Sequence, residues 1–435
     1  MPGVRIKLAG ALVALAMATG VPAPAAESPA SPAIAAVREP ADAAAFWARV
    51  AVTGAPLVEP GPDPTDPVTV TFLWRSATAR EVEMNWPVWT PDRRENHLRR
   101  LGDSDIWYRT VTLPPGTRLS YQIAVDPVRG ASGDREAYRQ GLRAALRPDP
   151  LNRVRMGEYS LLELPGAVPQ PYVAARPGLP RGRLAVEHFH NAGTGRTYEV
   201  TLYRPPGVPD DRPTPMVVVF DAERYLTDIP TPTILDNLIA DGAIPPVSAA
   251  MIRNADPRSR GQDLACNTGF ADMLARYFMP WVRTRLRLTG DPGQIVLAGS
   301  SYGGLISTCA ALRHPGSFGA VLSQSGSYWW DPPGAAPATS AGDHHVIRQV
   351  RDAAPLPIRF YLDAGLLERR PGPDDGPDNR DSILLTNRAL AATLRDRGYN
   401  VTFHPFAGGH DDAAWRGTLS DGLIHLLHRP ASDGR

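Results

Sequence analysis

A serine hydroxyl becomes a nucleophile only when a base accepts its proton and a carboxylate orients that base. One serine in this chain stands in a setting suited to that chemistry. The run Gln294-Ile-Val-Leu-Ala-Gly-Ser-Ser-Tyr-Gly-Gly-Leu-Ile306 reads as strand, sharp turn and helix, with Ser301 at the centre of Gly299-Ser300-Ser301-Tyr302-Gly303. In a Gly-x-Ser-x-Gly elbow, small residues two before and two after the serine let a strained turn pack against its neighbours. Ser301 is therefore the expected nucleophile. Seven histidines follow it, at positions 314, 344, 345, 404, 410, 425 and 428, so position must choose the base. His410 lies in Gly408-Gly409-His410-Asp411, a loop after the last expected strand, where an imidazole can reach over the nucleophile. His314 reads as structural, and His425 and His428 belong to a C-terminal helix. Two carboxylates compete to orient the base: Asp363, at the end of the strand over 358–362, and Glu368, after the following turn. Residue chemistry alone does not separate them. The tetrahedral intermediate of acyl transfer carries an oxyanion that needs backbone donors. The N–H of Tyr302 is one, and the N–H of Ala222, in the loop after the strand over 216–220, is expected to be the other. This chemistry calls for no metal and no cofactor.

The elements that must position these residues fall into two groups. Over 37–165 the strand-like pieces are short, bounded by Pro, Gly and Asp, and alternate with Trp, Tyr and Val on one face: 68–74, 81–86, 106–113 and 119–125. That pattern predicts a small antiparallel β-sandwich, with a helix over 41–50 ahead of it. A Pro-rich linker covers 166–183. Over 184–430 the rhythm changes to short apolar strands at 199–203, 216–220, 249–252, 295–298, 320–323, 358–362 and 401–404. Helical patterns at 233–241, 269–286 and 382–397 lie between them. Apolar strands alternating with amphipathic helices imply a mostly parallel sheet covered on both faces. With the elbow in its middle, this is an α/β fold of the α/β-hydrolase arrangement.

Composition excludes other classes. A formal net charge of +1 over 435 residues leaves no basic footprint for nucleic acid. Lys7 is the only lysine, so an anion site here must be built from Arg. Residues 1–26 run from Arg5 and Lys7 through an apolar stretch to Ala23-Pro24-Ala25, the order of a cleavable secretory signal peptide. The expectation is a periplasmic or secreted protein with no membrane insertion after cleavage, preceded by a flexible leader to about residue 37. Cys266 and Cys309 are the two cysteines, and spacing leaves a disulfide and two buried thiols equally open.

Further runs are similar to one family. Gly-Ser-Ser-Tyr-Gly-Gly-Leu, Leu322-Ser-Gln-Ser-Gly-Ser-Tyr-Trp-Trp330 and Gly408-Gly-His-Asp-Asp-Ala-Ala-Trp-Arg-Gly417 resemble the enterochelin (enterobactin) esterases of the esterase D type. Leu264-Ala-Cys-Asn267, Asp149-Pro-Leu-Asn152 and the sandwich with Phe72-Leu-Trp74 fit the two-domain members. The resemblance implies hydrolysis of the trilactone of enterobactin-like catecholate siderophores, free or as the Fe(III) complex. It also places the triad acid in Gly-x-x-acid, here Gly365-Leu-Leu-Glu368, which favours Glu368. A ferric tris-catecholate is a trianion, so Arg253, Arg258, Arg260 and Arg416 are the expected substrate-binding cations. The alternatives are a general carboxylesterase, for example of feruloyl type, on the same triad, and a siderophore-binding protein without catalysis. The export signal departs from the cytoplasmic two-domain members.

Overall fold

The computed structural model describes residues 31–90, 93–128, 135–256, 258–370, 374, 376 and 379–428. The expected signal peptide lies outside them. The leader does not behave as a free tether throughout: Pro32–Ala35 form a helical turn capped by Ser31, and Ile34 is buried in a cluster with Phe46 and Trp47 from the helix Pro40–Thr53. One large apolar residue in an Ala- and Pro-rich stretch carries no periodicity, so its docking left no mark in the pattern.

Behind that helix stand two antiparallel sheets. One orders Leu57–Glu59, Val68–Arg75, Ile106–Leu113 and Arg99–Arg100; the other is built on Val82–Asn85, Arg118–Val125 and Tyr159–Glu163. Val70, Phe72, Trp107, Leu119, Tyr121 and Ile123 interdigitate between them, and Phe72 meets Tyr121 edge-on at 4.8 Å. Val68–Arg75 and Arg118–Val125 are buried over most of their length, and their β-branched and aromatic residues fill the space between the sheets.

The second core surrounds an eight-stranded sheet. Its strands are β1 (Arg183–Asn191), β2 (Arg196–Arg204), β3 (Met216–Phe220), β4 (Ser248–Ile252), β5 (Ile295–Ser300), β6 (Ala320–Gln324), β7 (Arg359–Gly365) and β8 (Asn400–Phe406). They lie in the order β1-β2-β4-β3-β5-β6-β7-β8. The pairs from β4 onward are parallel, and β1 and β2 are antiparallel additions at one edge. β3, β4, β5 and β6 are buried throughout, which is why they read as unbroken apolar runs. β1 was not expected. It is mostly exposed and polar, with Glu187, His188 and His190, so it resembles a loop in the sequence.

The helix expected over 269–286 is three pieces, Thr268–Met273, a π turn Leu274–Phe278 and Met279–Arg283. Pro280 brings no N–H for an i−4 bond, and the wider turn ahead of it accommodates that gap. The helix Ile383–Asp396 starts on Ser382, whose hydroxyl accepts the Leu385 N–H.

The 166–183 segment packs on this second core: Asn237 Nδ2 donates to the carbonyls of Tyr172 and Ala174 at 2.7 and 2.9 Å. Among the described residues no helix is long and apolar enough to cross a membrane.

Candidate active site

β5 ends in the elbow. Ser301 has φ 59° and ψ −119°, a conformation that an L-residue adopts only when its surroundings enforce it. A Cβ on Gly299 would stand 2.8 Å from the Gly303 backbone, and one on Gly304 would collide with Ser323 Oγ at 2.3 Å. The glycines are thus the steric condition for the turn. The Ser301 N–H donates to Gln324 O at 2.9 Å, which ties the elbow to β6. Ser301 Oγ lies 3.2 Å from Ser327 Oγ. Ser301 Oγ pairs with Ser327 and His410 with Glu368 rather than with each other, and catalytic hydrogen bonds of this kind tighten in the complex with substrate.

The expected base and the acid favoured by the resemblance do meet. His410 Nδ1 is 2.5 Å from Glu368 Oε1, and Glu368 Oε2 accepts the Gly365 N–H at 2.7 Å. Glu368 is 7% exposed, so its carboxylate is spent on these two donors. The imidazole also packs edge-on against the fully buried Trp415, ring centroids 4.7 Å apart. Asp363 takes a different part. It is fully buried, accepts the Ser325 N–H at 3.0 Å and makes no bond to His410. Burial pushes its carboxyl well above the usual carboxylate range. His314 sits on Asp272 at 2.7 Å, together with Arg313, and His344 sits on Asp331 at 2.8 Å.

The loop bearing His410 rests on the sandwich. Asp411 is 5% exposed and accepts both the Ser120 Oγ–H at 2.9 Å and the Ser120 N–H. The Arg118 N–H donates to Ala407 O at 3.0 Å, and the His410 N–H reaches Pro87 O at 3.4 Å. A Cβ on Gly409 would stand 2.2 Å from that same Pro87 oxygen, so the Gly-Gly pair is what lets the two domains approach. Neither Ser120 nor Pro87 was expected at the site, since nothing in a strand pattern marks a residue that bonds 291 positions away. The acidic pair Asp411-Asp412 after His410 was the only sequence sign that this loop needs partners.

The two expected oxyanion donors stand at helix starts. Tyr302 opens the helix Tyr302–Arg313 and Ala222 opens the turn Ala222–Tyr225, positions where a backbone N–H has no intrahelical acceptor. Asp221 before Ala222 is left-handed, φ 59°, and buried, and Arg260 grips it with Nε at 2.7 Å and Nη2 at 2.8 Å. Asn254 Nδ2 adds a third bond to Asp221 at 2.7 Å.

The arginines expected to bind substrate have protein partners in most cases. Arg260 is spent on Asp221 and lies over the Tyr302 ring at 5.6 Å, so it braces the oxyanion loop. Arg253 pairs with Glu199 at 2.8 Å. Arg416 points to the linker, where its Nε donates to Gln170 Oε1 at 2.7 Å, and burial followed by the charge of Arg118 lowers its pKa. Arg258 is exposed. Two cations not among those expected to bind substrate adjoin the His410 and Glu368 segments. Arg224 bonds Asp412 through Nε and Nη2 at 3.0 and 2.7 Å and stacks over Trp415 at 5.1 Å. Arg370, two residues past Glu368, lies over the ring of the exposed Trp89 at 5.1 Å. Cys266 and Cys309 form a disulfide, Cα–Cα 5.5 Å, joining the loop that carries Arg260 to the helix behind Ser301. Among the described residues one group, Glu81, Glu83 and His97, has His and carboxylate atoms close enough to share an ion, and it lies in the sandwich.

Comparison with known proteins places this arrangement. The Esterase family model matches residues 191–426, and the model of the enterochelin esterase N-terminal domain matches residues 69–173. The iron(III) enterobactin esterase of Dickeya dadantii is 28% identical over 419 residues, spanning 88% of this chain and 92% of its own. The iron(III) salmochelin esterase of an Escherichia coli O6:H1 strain is 28% identical over 397 residues, spanning 87% and 92%. The crystal structure of the ferric enterobactin esterase from Salmonella typhimurium matches with a TM-score of 0.71 at 28% identity, over 88% of this chain and 98% of that one. The chain is a carboxylic ester hydrolase with an α/β-hydrolase fold and belongs to the enterochelin esterase family.

Proposed function

We propose that this enzyme is an exported serine esterase that opens the trilactone of enterobactin-like catecholate siderophores, free or ferric, and so releases iron. The observation that carries it is the His410–Glu368 pair, found together with the strained Ser301 elbow in a chain whose similarity to siderophore esterases spans both domains.

Ser301 Oγ attacks the ester carbonyl as His410 Nε2 takes its proton, and the oxyanion is held by the N–H groups of Tyr302 and Ala222. The protonated imidazole leans on Glu368 through Nδ1–H. It then gives the proton to the departing seryl alkoxide, leaving an acyl-Ser301 and a free alcohol. Water, deprotonated by the same imidazole, attacks the acyl-enzyme and restores Ser301.

The disulfide supports export, because cytosolic thiols are kept reduced whereas periplasmic pairs oxidise. The test is to incubate the purified chain with ferric enterobactin and with a feruloyl ester in parallel, with Ser301→Ala as control. Opening of the trilactone by the wild type alone is the expected result. Cleavage of the feruloyl ester with an untouched trilactone rejects the substrate assignment, and recovery of uncleaved precursor from the cytosol rejects the export assignment.

A further inference from the structure

Beside His410, between the sandwich and the catalytic domain, lies a pocket of about 230 Å³ walled by Asn85, Tyr159, Arg224, His410 and Asp412 among others. It lies below the usual size of a small-molecule pocket, which suits one arm of a siderophore rather than a whole trilactone.

The polar groups in the wall are unevenly satisfied. Asp411 is spent on Ser120 and on the Ala413 N–H. Asp412 gives Oδ2 to Arg224, while its Oδ1 is buried with no hydrogen-bond partner on a side chain only 7% exposed. A buried carboxylate oxygen left without a donor is rare in folded proteins and asks for an explanation. The neighbouring Tyr159 hydroxyl is kept protonated: burial raises its pKa, and the charges of Asp228 and Asp412 add to that.

The balance of charge narrows what fits. Asp412 meets the guanidinium of Arg224 one for one, and the buried Asp411 is taken up by Ser120 and Ala413, so this wall offers no surplus positive charge to a ferric catecholate trianion. It suits a neutral group that donates a hydrogen bond. Position narrows it further, because the leaving oxygen must lie where His410 can protonate it. The acyl half is held at Ser301 and the oxyanion donors, so the departing half is the one that faces this pocket.

We infer that the pocket is the leaving-group subsite, in which Asp412 Oδ1 accepts the amide N–H or alcohol of the departing N-acylserine unit. Both domains build it: Asn85 and Tyr159 come from the sandwich, Arg224 and Asp412 from the catalytic domain. The inference rests on the siderophore assignment above.

The probe is N-(2,3-dihydroxybenzoyl)serinamide, neutral like the esterified seryl unit it stands for, used to inhibit hydrolysis of 4-nitrophenyl butyrate by the full chain. Two variants test the pocket: Asp412→Asn, which weakens the acceptor, and Asn85→Trp, which fills the mouth from an exposed strand end. In each, the inhibition constant should rise at least tenfold. The ratio of kcat/KM for enterobactin to that for 4-nitrophenyl butyrate should fall at least tenfold. A purely structural lesion lowers both activities and leaves the ratio alone. If Asp412→Asn does not fold, Asn85→Trp decides. A wild type that opens the trilactone while the folded variants keep its ratio and inhibition constant overturns the pocket alone. A wild type that cleaves the nitrophenyl ester and leaves the trilactone intact overturns the substrate assignment, and this inference with it.

Discussion

Replacing Glu368 by glutamine separates the two carboxylates near the base. The amide is nearly isosteric, but it has one acceptor where the carboxylate has two. Glu368 Oε2 receives the Gly365 N–H at 2.7 Å and Oε1 faces His410 Nδ1 at 2.5 Å, both at a position 7% exposed. The buried Gly365 N–H claims the one remaining oxygen, so the NH₂ group turns to Nδ1. Nδ1 must then accept, and the imidazole proton moves to Nε2, the atom that has to take the proton of Ser301. Inverting a triad tautomer in this way costs about 10⁴ in kcat in a well-studied serine protease, or about 5.5 kcal/mol of barrier. We expect a loss of 10³ to 10⁴ in Glu368→Gln, as in that precedent. Asp363→Asn keeps the acceptor for the Ser325 N–H and does not touch His410, so its kcat should stay within about threefold of wild type, the scatter expected away from the chemistry. Steady-state hydrolysis of 4-nitrophenyl butyrate, with melting temperatures as a check on folding, measures both. The reasoning fails if Glu368→Gln keeps a tenth of wild-type kcat, or if Asp363→Asn loses as much at an unchanged melting temperature.

Ser120→Ala removes the 2.9 Å bond to Asp411 but keeps the cap that Asp411 gives to Ala413, and a bond to a charged group is worth about 1.5–3 kcal/mol. With part of that loss falling on the position of the His410 loop, kcat should drop roughly 3- to 30-fold with KM within about twofold; kinetics in which only KM moves count against it. Stability should respond to pH through Asp363: burial raises its folded pKa, so between its unfolded pKa, about 3.9, and that raised value the native state holds a proton that the unfolded chain has released. Its contribution is present at acid pH and is lost as the pH rises. In urea melts from pH 5 to pH 8, Asp363→Asn should therefore gain on wild type by up to about 1.4 kcal/mol per pH unit, and a gap that stays constant refutes this. Reduction of Cys266–Cys309, which closes a loop of 43 residues, should lower stability by about 4 kcal/mol in the chain-entropy account, measured as a shift in urea midpoint between oxidised and reduced protein.

What the sequence made legible follows from how local each cause is. β3 to β6 are buried on both faces and announce themselves as apolar runs, and the elbow is a steric motif complete within five residues. Glu368 and Asp363 were inseparable by chemistry because the difference between them is not local. One faces an imidazole 42 positions on, and the other is sealed beneath β6. The same holds for the arginines. A sequence displays charge but not its partner, and Arg260, Arg253 and Arg416 are taken up by Asp221, Glu199 and Gln170.

The least legible feature is also the one that ties the fold to the chemistry. The expected nucleophile is tied to the sheet of its own domain, through the bond from the Ser301 N–H to Gln324 O. The histidine expected to be the base hangs between domains, with Glu368 on one side and Ser120, Arg118 and Pro87 of the sandwich holding its loop on the other. The separation between nucleophile and base is thus a function of how the sandwich docks. A substitution confined to the sandwich face around Ser120 should therefore change turnover without altering any residue of the triad. In an isolated α/β-hydrolase domain the same histidine loop would have to be braced by other means.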